Sequence, residues 1–84
     1  MDWDVIEARA IEPGRVEVKF SDGLQGTVRF ADSAYRGVFA KLRDPIEFNK
    51  VYVNGYFVTW PGELDLAPDA MYQHIAQTGE WTIQ

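Results

Sequence analysis

Four side chains in the last third of the chain have the types and spacing to do chemistry. Glu63, Asp65 and Asp69 lie close together, and His74 follows one helical turn further on. Carboxylates so spaced could hold a hard divalent cation through oxygen, or work as an acid–base pair with the imidazole as proton carrier. The same residues also have a plainer use. Asp65 suits a turn, Asp69 suits the positive end of a helix dipole, and Glu63 suits solvent. A general base needs an orienting partner and a nucleophile within reach, and no pattern around His74 supplies either. Ser21 falls in a turn and Ser33 at a helix start, neither in a G-x-S-x-G context. The plainer use is preferred. No catalytic residue and no metal ligand is assigned, and no cofactor is implied.

Composition narrows the remaining classes. A chain of 84 residues fits one domain, residues 1–84. Eight Lys and Arg against thirteen Asp and Glu give a net charge of −5, the wrong sign for a nucleic-acid backbone. Arg29, Arg36, Lys41 and Arg43 are the main basic concentration, and they read as a solvated helix face. Nucleic acid is not an expected partner of this chain alone. With no cysteine there is no disulfide or thiolate zinc site, and one histidine excludes a His-rich metal site. The acidic first ten residues lack the basic and apolar regions of a signal peptide, and no apolar run approaches membrane-spanning length. A cytoplasmic protein without membrane contact is the expectation. Three Trp, four Tyr and five Phe are a heavy aromatic load, most of it needed to fill a small core.

The elements that must position these residues follow from periodicity. Residues 4–11 read as a strand with Ile6, Ala8 and Ala10 on one face. Arg15–Phe20 is the cleanest strand, with Val16, Val18 and Phe20 alternating against Glu17 and Lys19. Residues 24–30 form the next. A three-residue loop, Ser21-Asp22-Gly23, sets Phe20 opposite Leu24 and Val16 opposite Val28, which gives one apolar face and places Gly23 at the left-handed position. Residues 31–44 change to a helical period, with Tyr35, Val38, Phe39 and Leu42 on one side and Asp32 or Ser33 as cap. Asp44-Pro45 ends that helix, and Ile46 and Phe48 plug the core. Residues 50–60 make a second hairpin. An Asn54-Gly55 type I′ turn sets Val53 opposite Tyr56, Val51 opposite Val58 and Tyr52 opposite Phe57. Leu64 and Leu66 anchor an extended stretch. Pro68 opens a helix whose buried stripe is Met71, Tyr72, Ile75 and Ala76, and Gly79 stops it. Trp81 and Ile83 form a last short strand or clamp. The whole is α+β: an antiparallel meander plus a hairpin, with two helices packed on one face.

Two runs and one turn resemble a known family. Leu42, Asp44, Pro45, Phe48 and Val51 fit an L-x-D-P-x-x-F-x-x-V run. Residues 60–72 fit W-P-x-x-x-D-[LI]-A-P-[DE]-x-L-Y, with Met71 in place of the usual Leu, and Phe20-Ser21-Asp22-Gly23 fits F-x-D-G. Together they resemble the small bacterial domain family of unknown function numbered 2442, over nearly the whole chain. The resemblance implies a small α+β domain, found alone or ahead of a helix-turn-helix, often beside another small gene. That setting has prompted toxin–antitoxin proposals. It implies no catalytic residues.

The sequence thus favours a non-enzymatic protein-interaction module, antitoxin-like or an accessory regulatory subunit. Tyr52 and Phe57, an aromatic pair turned away from Val51, Val53 and Trp60, are the interface candidates. A protein partner is expected, with a homodimer as the simpler variant. The alternative is a small-ligand or divalent-metal-binding domain using Glu63, Asp65, Asp69 and His74.

Overall fold

Val16, Val18 and Phe20 point one way from an extended backbone, and all three are buried. They make β2 (Arg15–Phe20) the strand against which the rest is laid. The structure is a computed structural model and describes residues 3–84; Met1 and Asp2 of the acidic opening stretch lie outside them. β1 (Val5–Glu12) and β3 (Gln25–Phe30) flank β2 in antiparallel fashion, and β6 (Glu80–Ile83) adds to β3 in parallel. The sheet order is β1-β2-β3-β6. The fold is α+β.

The first hairpin has the expected register. Val16 stands opposite Val28, and the Phe20 amide donates to the Leu24 carbonyl at 2.8 Å. Gly23 takes φ +95 and donates to Phe20 at 3.0 Å, which closes the three-residue loop. The expected placement of Ile6 is corrected. A bulge between Val5 and Glu7 puts Val5 opposite Phe20, leaving Ile6 as the extra residue, 51% exposed, while Ala8 and Ala10 keep the inner face opposite Val18 and Val16.

The 31–44 segment is not a regular α-helix. It is two 3₁₀ segments, Asp32–Ala34 and Gly37–Arg43, and neither has a side-chain cap. Gly37, the first residue of the second, adopts φ +58, a left-handed conformation that α-helical geometry does not admit. Leu42 is buried, but Val38 points to solvent. Asp44 ends this segment and caps the next. Its carboxylate accepts from the Ile46 amide at 2.9 Å and starts α1 (Pro45–Phe48) with Pro45 in the first turn. Phe48 is fully buried, whereas Ile46 is 71% exposed and plugs nothing.

The second hairpin, β4 (Tyr52–Asn54) and β5 (Phe57–Thr59), turns one residue later than the Asn-Gly rule implies. Its central residues are Gly55 and Tyr56, with Tyr52 opposite Thr59, Val53 opposite Val58 and Asn54 opposite Phe57. Gly55 alone has positive φ, the sign pattern of a type II′ turn. Moving the turn by one residue shifts each partner by two, so strand faces are kept while partners change.

α2 (Pro68–Thr78) behaves as its sequence predicts. Pro68 opens it, Asp69 lies in its first turn, and Gly79 closes it at φ +82 with its amide on the Ile75 carbonyl. Met71 and Ile75 are buried and Tyr72 half-buried, but Ala76 faces solvent. The helix lies directly on β3, where Gly26 leaves the necessary gap. A β-carbon there would sit 2.6 Å from the Gly79 carbonyl oxygen and closer still to Ile75. β6 follows at once. Glu80 ties it across the sheet through Arg15 at 3.2 Å and Arg29 at 3.5 Å.

The core runs from Val5 to Ile75 and centres on Phe30. That ring meets Tyr35, Phe39, Phe48 and Trp60 at centroid distances of 5.5–6.0 Å. Trp60 is the expected anchor: it is fully buried, and its indole N–H donates to the Phe48 carbonyl at 2.8 Å.

Candidate interaction surface

The chemistry-bearing residues of the last third are all exposed. Glu63 is exposed in the turn after Pro61-Gly62, with a left-handed backbone at φ +61. Asp65 is exposed and makes no side-chain hydrogen bond among the described residues, so its expected turn-capping role is not seen there. Asp69 meets the α2 dipole from solvent, and His74 stacks on Trp81 at 5.8 Å with the rings nearly parallel. Among the described residues, no three His, Asp or Glu side chains are grouped to hold a metal ion.

Two acids of the family motifs accept backbone amides in defined turns. One is Asp44, through its cap on α1. The other is Asp22, at the tip of the first hairpin, which accepts from the Leu24 amide at 2.9 Å and from the Tyr72 hydroxyl of α2 at 2.5 Å. The Tyr72 hydrogen bond, seconded by the Leu24 amide, holds the Asp22 carboxyl below its ordinary 3.8. Tyr72 also stands edge-on to Phe20 at 5.0 Å. The F-x-D-G turn and the motif's closing tyrosine therefore form one joint. Phe48 and Trp60 form another, and the Leu66 amide donating to Val58 at 2.9 Å a third. Phe20, Asp22, Asp44, Phe48, Trp60, Leu66 and Tyr72 of the motifs thus hold the fold together.

Two of the basic residues on the 31–44 segment are likewise engaged. Arg43 lies over the Tyr35 ring at 4.8 Å and pairs with Asp32 at 3.7 Å, and Lys41 donates to the Pro61 carbonyl at 2.8 Å. Burial pushes the Tyr35 hydroxyl's pKa up, against the pull of Arg43.

What the fold does build is a groove of about 720 Å³. One wall is β1 over residues 6–9, the other is residues 51–53 leading into and along β4, and Glu17, Val18, Lys19 and Gln25 complete it. Charges within it cancel: Arg9 pairs with Glu17 at 3.0 Å, and Glu7 stands opposite Lys19 in the sheet register. Exposed apolar surface comes from Ile6 and from Tyr52, which is 44% exposed. Phe57 is half-buried and stacks on exposed Tyr56 at 4.8 Å; it faces Asn54 across the hairpin and does not line the groove. Of the two interface candidates, then, Tyr52 lies on the groove and Phe57 beside the turn. None of Glu63, Asp65, Asp69 and His74 lines it. Sequence reasoning missed Ile6, because strict alternation hides a bulge.

The fold and its surfaces define a small α+β domain with a strand-walled groove and, among the described residues, no cluster of three or more His, Asp or Glu side chains that could hold a metal ion. Residues 5–77 match the family described as "Protein of unknown function (DUF2442)", and the chain belongs to that family. No curated protein and no solved structure gives a significant match. Among the described residues, no helix is long and apolar enough to cross a membrane.

Proposed function

We propose that this chain is a non-enzymatic protein-interaction module, an antitoxin-like or accessory subunit, that takes an extended segment of a partner protein into the groove between β1 and β4. The observation that carries the reading is the make-up of the groove's walls. β1 is an outer strand of its sheet, and β4 pairs with β5 in a sheet of two. Beyond the Val5 amide, which already donates to the Tyr56 carbonyl, each therefore has a side that another strand can join, the recognition mode in which main-chain hydrogen bonds give affinity and flanking side chains give selectivity. Ile6 and Tyr52 supply the apolar contacts. The charges of Glu7, Arg9, Glu17 and Lys19 sum to zero across the groove, with Arg9 and Glu17 paired, which favours an uncharged or mixed segment over a strongly ionic ligand.

The test is affinity capture with the full chain and with an Ile6→Ser, Tyr52→Ala variant, followed by hydrogen exchange on the reconstituted complex. The expected result is a partner retained by the natural chain, lost from the variant, and protecting the amides of residues 6–9. Equal retention by the variant, or protection elsewhere, refutes the groove as the site. A mass that doubles with concentration and reverts in the variant identifies a second copy as the occupant.

A further inference from the structure

We propose that Asn54-Gly55 is a site of spontaneous covalent modification, at which the asparagine converts to aspartate and isoaspartate in the folded protein. The chemistry needs three things: an asparagine side chain free to rotate, a following backbone nitrogen free to lose its proton, and little bulk on the residue carrying that nitrogen. Asn54 and Gly55 are both exposed at the tip of the β4–β5 hairpin. Neither the Asn54 amide group nor the Gly55 N–H has a hydrogen-bond partner among the described residues. A β-carbon at Gly55 would meet nothing within 4 Å, so the turn has open space around the reacting atoms.

The step balances without any oxidant. Hydroxide removes the Gly55 amide proton, and the nitrogen attacks Asn54 Cγ. The bond from Cγ to the side-chain nitrogen breaks, and ammonia leaves with a proton from solvent. Water then opens the five-membered imide. Attack at the side-chain carbonyl gives aspartate, and attack at the main-chain carbonyl gives isoaspartate. The net change is ammonia for water, with one further negative charge on a chain already at −5.

The rest of the molecule supplies its own controls. The other asparagine, Asn49, is followed by Lys50, whose amide is held by the Glu47 carbonyl at 3.1 Å. Asp22-Gly23 could form the same imide. Its carboxylate, however, is held by Leu24 and Tyr72, and the Gly23 nitrogen is tied to the Phe20 carbonyl. Asp44 is followed by Pro45, which has no amide proton to lose.

The experiment incubates the purified full chain at mildly alkaline pH. It follows intact mass and charge ladders, maps the modified peptide, and detects isoaspartate by enzymatic methyl transfer. The peptide of residues 50–60 is run in parallel. The expected result is conversion at residue 54 at a rate within about tenfold of the free peptide, and at least about tenfold faster than at residue 49. The acidic species should be absent from Asn54→Gln. An unchanged residue 54 after the peptide is half converted overturns the proposal, as does isoaspartate arising first at residue 22 or 49.

Discussion

Replacing Gly26 by alanine adds one methyl group, and the structure assigns that methyl no room. It would lie 2.6 Å from the Gly79 carbonyl oxygen and in collision with Ile75. Neither neighbour can step aside cheaply. Ile75 is 2% exposed, and the Gly79 carbonyl accepts from the Thr27 amide at 3.1 Å while its own amide caps α2. The end of α2 must lift from β3, at the usual cost of overpacking plus one main-chain hydrogen bond, about 2–4 kcal/mol. A chain of this size has a total stability of about 4–13 kcal/mol, so Gly26→Ala lowers the midpoint of thermal unfolding by roughly 10–20 °C. Urea denaturation followed by tryptophan fluorescence measures the loss directly. A double-mutant cycle with Ile75→Ala separates the mechanism, because removing the isoleucine branches makes room for the new methyl. The pair should then cost less than the two singles combined by about 1 kcal/mol or more. A Gly26→Ala variant within about 0.5 kcal/mol of the natural chain would refute the close-approach account.

Two further outcomes follow from the same packing. Trp60→Phe removes the shorter of two hydrogen bonds to the Phe48 carbonyl, leaving it only the Val51 amide at 3.4 Å, beside a small void; a loss of about 1–3 kcal/mol is expected from the urea midpoint, and a change below about 0.5 kcal/mol would count against the joint. Asp22 titrates below its ordinary 3.8 in the folded chain, so the stability it contributes is complete above that value and drains away as pH falls through the lowered one. In Tyr72→Phe the carboxyl should return toward 3.8, read by carbon-detected NMR titration, and the stability gap to the natural chain should narrow in acid; a gap independent of pH would break the assignment.

Local periodicity was enough to read β2, the Ser21-Asp22-Gly23 loop and α2 from the chain, because in each the apolar spacing and the turn chemistry point to one answer. The second hairpin shows where that logic stops. Both turn positions keep Val51, Val53, Val58 and Trp60 on one face, so parity alone cannot choose between them. Tertiary contact chooses instead: the Tyr56 carbonyl accepts from the Val5 amide at 3.4 Å. The 31–44 segment has a helical spacing, yet Gly37 divides it, and a period analysis does not register one residue of opposite hand. The groove was the least legible feature. Its walls come from segments more than forty residues apart in sequence, and Ile6 reaches it only because of a bulge. Tyr52 was visible as an aromatic with no clear place in the core, whereas Glu63, Asp65, Asp69 and His74 are close along the chain yet, among the described residues, do not group to hold a metal ion.

The parallel strand β6 has a consequence for how the protein is made. β3 is complete at Phe30, but its outer edge stays uncovered until Glu80–Ile83 arrive. During synthesis the meander emerges first, with a row of main-chain donors and acceptors open to any passing strand. The interval spans the 3₁₀ segments, the second hairpin and α2, so the sheet closes late and through contacts of long sequence separation. The vulnerable species is a nascent chain with three strands and a bare flank, and it is at that stage that a chaperone, or a second unfinished copy, finds a ready place to pair.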